Sequence, residues 1–375
     1  MIRILHILNS TKRDINIINL YQSIDKLDNY FLLSKEGVKK KNNKDDLKLL
    51  KSNEKVFLYD NLNSIDIKSD DFGYLFVYGI NKSLVNLTFK YLKKNTKLVW
   101  ISLGKDIYNL SFLSYKDLYQ INTYKVLKKN GLLNTGFKNA IYKLLRPYNK
   151  TTAFFKRINF VSPRLYAEME IIKNNNSINA KYVRLPLGDN TENHFNNIEP
   201  INPNAQDIYI GPSAASTSNH IDVFYKLHDL GFEHNIHVTL SYKVNRKYLR
   251  EVLEVGENLF GNRFKPQTEF YTKEKFNKIL NTCNVAIFNN NRQEGLLTVA
   301  ICVNKGMKVF MSDLNPSFTY LNQTGYEIYS FQKDYNKIQK SDINLLKLGA
   351  INEDSIFSFD EMKAIYTALD IMKYN

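Results

Sequence analysis

Short runs of aliphatic, β-branched and aromatic residues alternate with longer helix-like segments along almost the whole chain. The runs predict strands over residues 2–8, 30–33, 56–59, 74–78, 98–102, 158–162 and 182–185 in the first half, and over 207–210, 237–241, 264–270, 285–288 and 308–311 in the second. Such alternation argues for parallel sheets covered by helices on both faces. The pattern is sharpest over 285–311. There the apolar run Val285-Ala286-Ile287-Phe288 gives way to the polar elbow Asn289 to Gly295, a helix over 296–304 follows and stops at Lys305-Gly306, and a strand closes the unit. A glycine that opens a helix in this position leaves backbone N–H groups and the positive dipole end free to hold an anion.

At 375 residues the chain is long for a single core. Two domains of about 180 residues each are expected. The break is placed between Pro186 and Pro203, where three prolines and Gly188-Asp189-Asn190 interrupt the apolar periodicity. This gives a first Rossmann-like domain over 1–190, a second over 200–355, and a terminal helix within 356–375. That helix is opened by a capping box, Ser358-Phe359-Asp360-Glu361, and carries an apolar face at Met362, Ile365, Leu369 and Met372. Two doubly wound domains of this kind face each other across a cleft, and ligands sit beyond the carboxyl ends of their strands.

Composition narrows the partners. Hydrophobic residues make up 43% of the chain, yet no run reaches the roughly 18 apolar residues of a membrane helix, and the start is too short in apolar residues for a signal peptide. A cytoplasmic protein is expected. The two cysteines, Cys283 and Cys302, lie amid apolar residues and suggest buried packing, and the six histidines show no zinc spacing, so no metal site is expected. The net charge is +15, and its placement is uneven: no acidic residue occurs between Asp117 and Glu168, while ten cations do. Within this basic segment, 118–167, Phe137, Ile141, Leu144 and Leu145 recur at helical spacing beside Lys138, Lys143 and Arg146. A basic amphipathic helix reads as a surface for anionic lipid, or else as a core-facing helix merely solvated by its lysines. No nucleic-acid-binding module is visible, and nucleic acid is not an expected partner.

Candidate chemistry gathers in the second domain. Its first strand runs into Gly211-Pro212-Ser213-Ala214-Ala215-Ser216-Thr217-Ser218-Asn219-His220, small and hydroxyl residues at a helix start. Gly211, Ser213, Ser218 and Asn219 suit phosphate oxygens, although such clusters also serve as plain helix caps. Tyr242 and Lys243 end the next strand, and Arg292, Gln293, Glu294 and Gly295 follow the fourth. With Arg246 near by, three loops from one carboxyl edge make a diphosphate clamp that needs no metal.

Several of these motifs resemble glycosyltransferase family 56. His6-Ile-Leu-Asn9-Ser10 is similar to the family's His-x-Leu-Gly-Ser, and Trp100-Ile-Ser-Leu-Gly104-Lys-Asp106-Ile-Tyr108 to its Trp-x-x-Trp-Gly-x-Asp-x-Tyr. Gly211 through Ile221 resembles its Gly-Asn-Ser-Gly-Asp-x-Ser-Asn-x-His-Ile loop. Arg292-Gln293-Glu294-Gly295-Leu-Leu-Thr298 resembles Arg-Gln-x-Gly-x-Gly-Thr, and Asn315-Pro316 with Phe318 resembles Asn-Pro-Phe. Leu103, Ala214, Ala215 and Leu297 depart from these patterns.

The resemblance implies a GT-B architecture: acceptor domain first, nucleotide-sugar domain second, and a terminal helix crossing back onto the first. It implies transfer of 4-acetamido-4,6-dideoxygalactose from a dTDP-sugar to a polyprenyl-diphosphate-linked saccharide, on the inner face of the cell membrane. The donor, dTDP- or UDP-linked, is then a substrate and no cofactor is implied. Asp106 is the first candidate for the base that activates the acceptor hydroxyl, and His6 the second; an N-cap and a packed histidine are their structural readings. Glu294 either holds sugar or ribose hydroxyls or simply favours the helix dipole. A GT-B transferase of other specificity and a non-catalytic basic binding protein are the alternatives.

Overall fold

The computed structural model describes residues 1–8, 14–34, 50, 53–59, 72–108, 115–133, 150–174, 178–187, 198–339 and 360–374. The chain divides into two compact units: Met1–Phe112, Ala140–Asn190 and Phe359–Asn375 form the first, and Leu113–Asn139 with Thr191–Ser358 the second.

In the first unit, β1 (Ile2–Ile7), α1 (Asp14–Gln22), β2 (Leu27–Ser34), β3 (Val56–Tyr59), β4 (Tyr74–Tyr78), α2 (Lys82–Tyr91), β5 (Lys97–Ile101) and the short α3 (Lys105–Tyr108) come in order. After the excursion of the chain into the second unit, α6 (Lys150–Arg157), β6 (Ile158–Ser162), α7 (Glu168–Lys173) and β7 (Lys181–Tyr182) complete it. The sheet is parallel, in the order β3-β2-β1-β4-β5-β6-β7. Every residue of β4, Tyr-Leu-Phe-Val-Tyr, is buried, as expected of a central parallel strand covered on both faces.

The second unit begins with α4 (Tyr115–Leu118) and α5 (Ile121–Lys129) and continues with β8 (Asp207–Ile210), α8 (His220–Asp229), β9 (Ile236–Thr239), α9 (Arg246–Phe260), β10 (Phe264–Gln267) and α10 (Lys273–Leu280). Then follow β11 (Cys283–Phe288), α11 (Leu296–Asn304), β12 (Lys308–Met311), α12 (Pro316–Gln323) and β13 (Ile328–Ser330). This sheet is also parallel, ordered β10-β9-β8-β11-β12-β13. Strand order reverses between β8 and β11, the switch point at whose carboxyl side ligands bind in such sheets. Both cysteines are free and buried.

The last helix, α13 (Glu361–Lys373), belongs to the first unit. Ile365, Ala368, Leu369 and Met372 pack into the core with Ile4, Phe31 and Phe76, and Lys97 Nζ donates to the Met372 carbonyl at 3.1 Å. Asp360, rather than Ser358, is the residue that caps it, its side chain accepting from Lys363 N–H at 2.9 Å. Ser358 lies outside the described residues.

The basic stretch 118–167, expected as one segment of the first domain, is divided between the two units. Its early part packs on the second sheet for identifiable reasons. Asp222 on α8 accepts from the backbone N–H groups of Asn122 and Thr123 at 2.8 and 2.9 Å, which satisfies the open donors at the start of α5. Leu127, on the same helix, is buried in the core of the second unit with Phe224, Tyr248 and Val252. The helix expected around Lys138, Lys143 and Arg146 lies outside the described residues. No helix of the described residues is long and apolar enough to cross a membrane.

Candidate functional site

Four loops leave the carboxyl edge of the second sheet around its switch point, following β8, β9, β11 and β12. Glu294 binds three of them together. Its Oε1 accepts from Ser213 Oγ at 3.1 Å and from Lys243 Nζ at 2.6 Å, and its Oε2 accepts from Arg292 Nε and Nη2 at 2.9 and 2.7 Å. Thr217 Oγ1 stands 3.5 Å from the same Oε2. Burial pushes the Glu294 carboxyl up, but Arg292 and Lys243 outweigh it and hold the group below its ordinary value. Glu294 is buried and so stays ionised only because it is paired on both oxygens.

The arrangement leaves cationic donors unspent. A guanidinium has five N–H groups, of which Glu294 takes one on Nε and one on Nη2, and an ammonium has three. Two cations against one carboxylate give a net positive site. Lys243 sits in the left-handed region, φ 57°, unusual for a side chain of its size and a form of local strain that recurs at binding sites. Its neighbour Tyr242 accepts from Ala214 N–H at 2.8 Å through its carbonyl, which fastens the β9 loop to the β8 loop.

Both helices at the switch point begin without a side-chain cap. Gly295 (φ 71°) precedes α11 and Asn219 (φ 53°) precedes α8, and neither side chain bonds a backbone N–H of its helix. The glycine is required by space as well as by φ: a Cβ there would lie 2.8 Å from Pro212 Cγ and closer still to Pro212 Cβ. A Cβ on Gly211 would meet Tyr209 and Phe288 at 2.9 Å. The β8 and β11 loops therefore touch backbone to ring with no room between them.

Of the sequence-derived donor residues, Ser213, Lys243, Arg292 and Glu294 meet in this one cluster, with Gly211 and Gly295 shaping it. Gln293 and Thr298 are half-buried beside it on the loop and on α11, and Tyr242 is exposed at its rim. Ser218 and Asn219 differ from expectation. Ser218 Oγ donates to the Ser213 carbonyl at 3.1 Å, and the Asn219 amide is consumed by the carbonyl of Asn289 at 3.0 Å and by Gln120 N–H at 3.0 Å. Both are fully buried, so their side chains build the loop and are not presented to a ligand. Arg246 is exposed on the first turn of α9.

A layer of amides under the loops was not anticipated. Asn289 and Gln120 exchange hydrogen bonds at 2.6 and 3.0 Å, and Gln332 donates to Asn289 at 2.9 Å. Asn315 donates to the carbonyls of Asn290 and Arg292, both at 2.9 Å, while its Oδ1 caps α12 through Ser317 N–H at 2.9 Å. The run Asn289-Asn290-Asn291 was the available signal. Gln120, distant in sequence, offered none.

The two candidate bases belong to the first unit. His6 is fully buried, its ring stacked on Phe31 at 4.7 Å, with Nδ1 3.2 Å from Tyr78 OH and Nε2 3.0 Å from Asn29 Oδ1. Burial pushes its pKa down to about 3, against the Asn29 hydrogen bond. With both nitrogens engaged inside the core, His6 is a packed histidine, which corrects the catalytic expectation. Asp106 is half-buried in the first turn of α3, at the carboxyl end of β5. It accepts from Trp100 Nε1 at 2.7 Å, Ser102 Oγ at 3.0 Å and Leu103 N–H at 3.0 Å. Burial raises its pKa, opposed by those hydrogen bonds. Among the described residues, no group of three or more His, Cys, Asp or Glu side chains is arranged to hold a metal ion.

The architecture is shared with solved structures. The chain is similar to a glycosyltransferase from Rickettsia africae ESF-5 (TM-score 0.58, 12% identity, covering 100% of this chain and 98% of that one). It is similar to sucrose-phosphate synthase from Thermosynechococcus elongatus (TM-score 0.59, 9% identity, 99% and 100% covered). HepE of Anabaena, solved in complex with UDP and glucose, matches with a TM-score of 0.55 at 11% identity, both chains covered in full. At such identities the likeness speaks for the fold, two parallel α/β domains of the GT-B type. The sequence model of 4-alpha-L-fucosyltransferase glycosyl transferase group 56 matches residues 165–361, more than half of the 375, and takes in the whole Glu294 cluster. The chain therefore belongs to glycosyltransferase group 56.

Proposed function

We propose that the second unit binds a nucleoside-diphosphate sugar, dTDP- or UDP-linked, with its diphosphate against Arg292 and Lys243 at the carboxyl edge of the switch point. The single observation that carries this reading is the Glu294 cluster: two cations, both oriented by one buried carboxylate, stand beside two helix starts that no side chain caps. Glycosyl transfer builds positive charge on the anomeric carbon and negative charge on the departing diphosphate. Donors already fixed around that diphosphate favour the transition state over the bound donor, because they need no reorganisation as the charge grows. Arg292 and Lys243 are the donors proposed for this role. HepE, similar in fold, has a structure in complex with UDP-glucose, which supports the same class of donor here.

The acceptor is proposed to be a polyprenyl-diphosphate-linked saccharide of cell-surface polysaccharide synthesis, and the sugar transferred a 4-acetamido-4,6-dideoxyhexose. Asp106 is proposed as the base for the acceptor hydroxyl; its raised proton affinity suits that task. The acid-free stretch, with Lys125, Lys128 and Lys129 on α5 and Lys156 and Arg157 on α6, supports a peripheral place on an anionic membrane face.

A thermal-shift screen against dTDP, UDP, GDP and CMP tests the donor reading. A nucleotide at 100 times its dissociation constant is expected to stabilise the protein by about 2.7 kcal/mol. No response to any of them would favour a non-catalytic binding protein.

A further inference from the structure

The loops after β9 and β10 carry a group of exposed apolar side chains on the carboxyl edge of the second sheet. Tyr242 is 51% exposed, Val244 46% and Phe270 77%. The rings of Tyr242 and Phe270 stand edge to face, 6.5 Å between centroids and 68° apart. A single exposed apolar residue needs no explanation, whereas a group at the rim of a charged site asks for a partner.

The platform is held by its surroundings. The Tyr242 carbonyl accepts from Ala214 N–H at 2.8 Å, the next residue, Lys243, is tied to Glu294 at 2.6 Å, and Leu240 N–H donates to the Gln267 carbonyl at 2.9 Å. The aromatic group thus begins one residue away from a cation of the cluster and continues along the edge from β9 to β10.

A nucleotide sugar has two ends that leave its diphosphate in different directions. With the diphosphate at the β8/β11 switch point, one end runs over β9 and β10 and the other over β12 and β13. The first direction meets the rings of Tyr242 and Phe270. The second meets the loop after β12, where Ser312 and Asn315 are buried, Asp313 pairs with Lys333 at 3.1 Å, and the large exposed side chain is the aliphatic Leu314, with no aromatic ring among residues 312–315. A nucleobase is planar and gains most from an aromatic face, which the first direction supplies and the second does not.

We infer that Tyr242 and Phe270 form a stacking platform for the nucleobase of the donor, which directs the hexose toward the loop after β12. The inference rests on the donor reading proposed above and adds the orientation of the nucleotide to it. Because stacking uses the face of a base and not its edge, the platform holds uracil and thymine alike.

Calorimetric titration of UDP and dTDP into the full chain tests it, with Phe270→Ala, Phe270→Tyr and Tyr242→Ala as variants and thermal unfolding without ligand as the check on folding. Phe270→Ala and Tyr242→Ala are expected to weaken both nucleotides about tenfold at unchanged unfolding temperature, and Phe270→Tyr to retain wild-type affinity. If the wild type binds UDP or dTDP and both alanine variants bind it equally well, the platform is overturned while the donor reading stands. If the wild type binds neither nucleotide, the donor reading fails and the platform with it.

Discussion

Glu294 Oε1 lies 2.6 Å from Lys243 Nζ, although 51 residues separate them in sequence. This contact closes the β9 loop onto the β11 loop at the switch point, and Arg292 completes the clamp from the other carboxylate oxygen. Replacing Glu294 by Gln keeps the shape but leaves two cations without their counter-ion. The expected result is a stability loss of about 1–3 kcal/mol, together with at least tenfold weaker donor binding. The difference from wild type also has a pH dependence. Because the folded carboxyl lies below its ordinary 4.5, its contribution is present above that value and is lost as pH falls through the lower folded value. Urea unfolding at neutral pH and near pH 3 would read both effects.

Gly295→Ala probes the contact between the β8 and β11 loops. The added Cβ must share space with Pro212 and adopt φ 71°. A loss of about 2 kcal/mol or more is expected, since strain and overlap act together. Wild-type stability for this variant would mean that the loops have room to part.

Glu168 in the first unit gives a pH signature of opposite sign. It is fully buried, accepting from Tyr108 OH at 3.0 Å and from Leu165 N–H at 3.1 Å, and burial, aided by the nearby Asp106, raises it to about 7 from 4.5. The folded state therefore binds the proton more tightly than the unfolded chain. Stability from this group is complete below pH 4.5 and declines as pH rises toward 7, by roughly 3 kcal/mol. Glu168→Gln should flatten that decline and be the more stable form at pH 8. Thermal unfolding across pH 5 to 8 checks it.

Asp106→Asn retains an acceptor oxygen but presents an amide N–H₂ to one of the three donors that now share the carboxylate. A cost of about 1 kcal/mol to folding is expected, with donor binding intact and transfer abolished. Unchanged turnover would remove Asp106 as the base.

Much of this was legible in sequence. The expected central strands occur, because parallel strands covered on both faces must be continuously apolar, as Val285 to Phe288 are, whereas the edge strands are shorter than expected: β7 keeps only Lys181–Tyr182 and β10 ends at Gln267. The short β13, three residues beside α12, lacked such a run. Gly295 as the start of α11 was equally readable, for few other residues meet its φ and its packing on Pro212. What could not be read were pairings set by the tertiary fold. His6 resembled a catalytic residue by its place at a strand end, yet its neighbours Phe31, Tyr78 and Asn29 make it part of the core. The bond between Asp222 and the start of α5 moved a lysine-rich helix into the second unit, and nothing near either residue announces it.

The central claim is that the Arg292–Glu294–Lys243 cluster holds the diphosphate of a nucleotide sugar. Isothermal titration of UDP and dTDP into the wild type and Arg292→Ala tests it most directly. Binding by the wild type and a loss of tenfold or more in the variant, at comparable unfolding temperature, is the expected result. Equal affinity in the two proteins, or no nucleotide binding by the wild type, would contradict it.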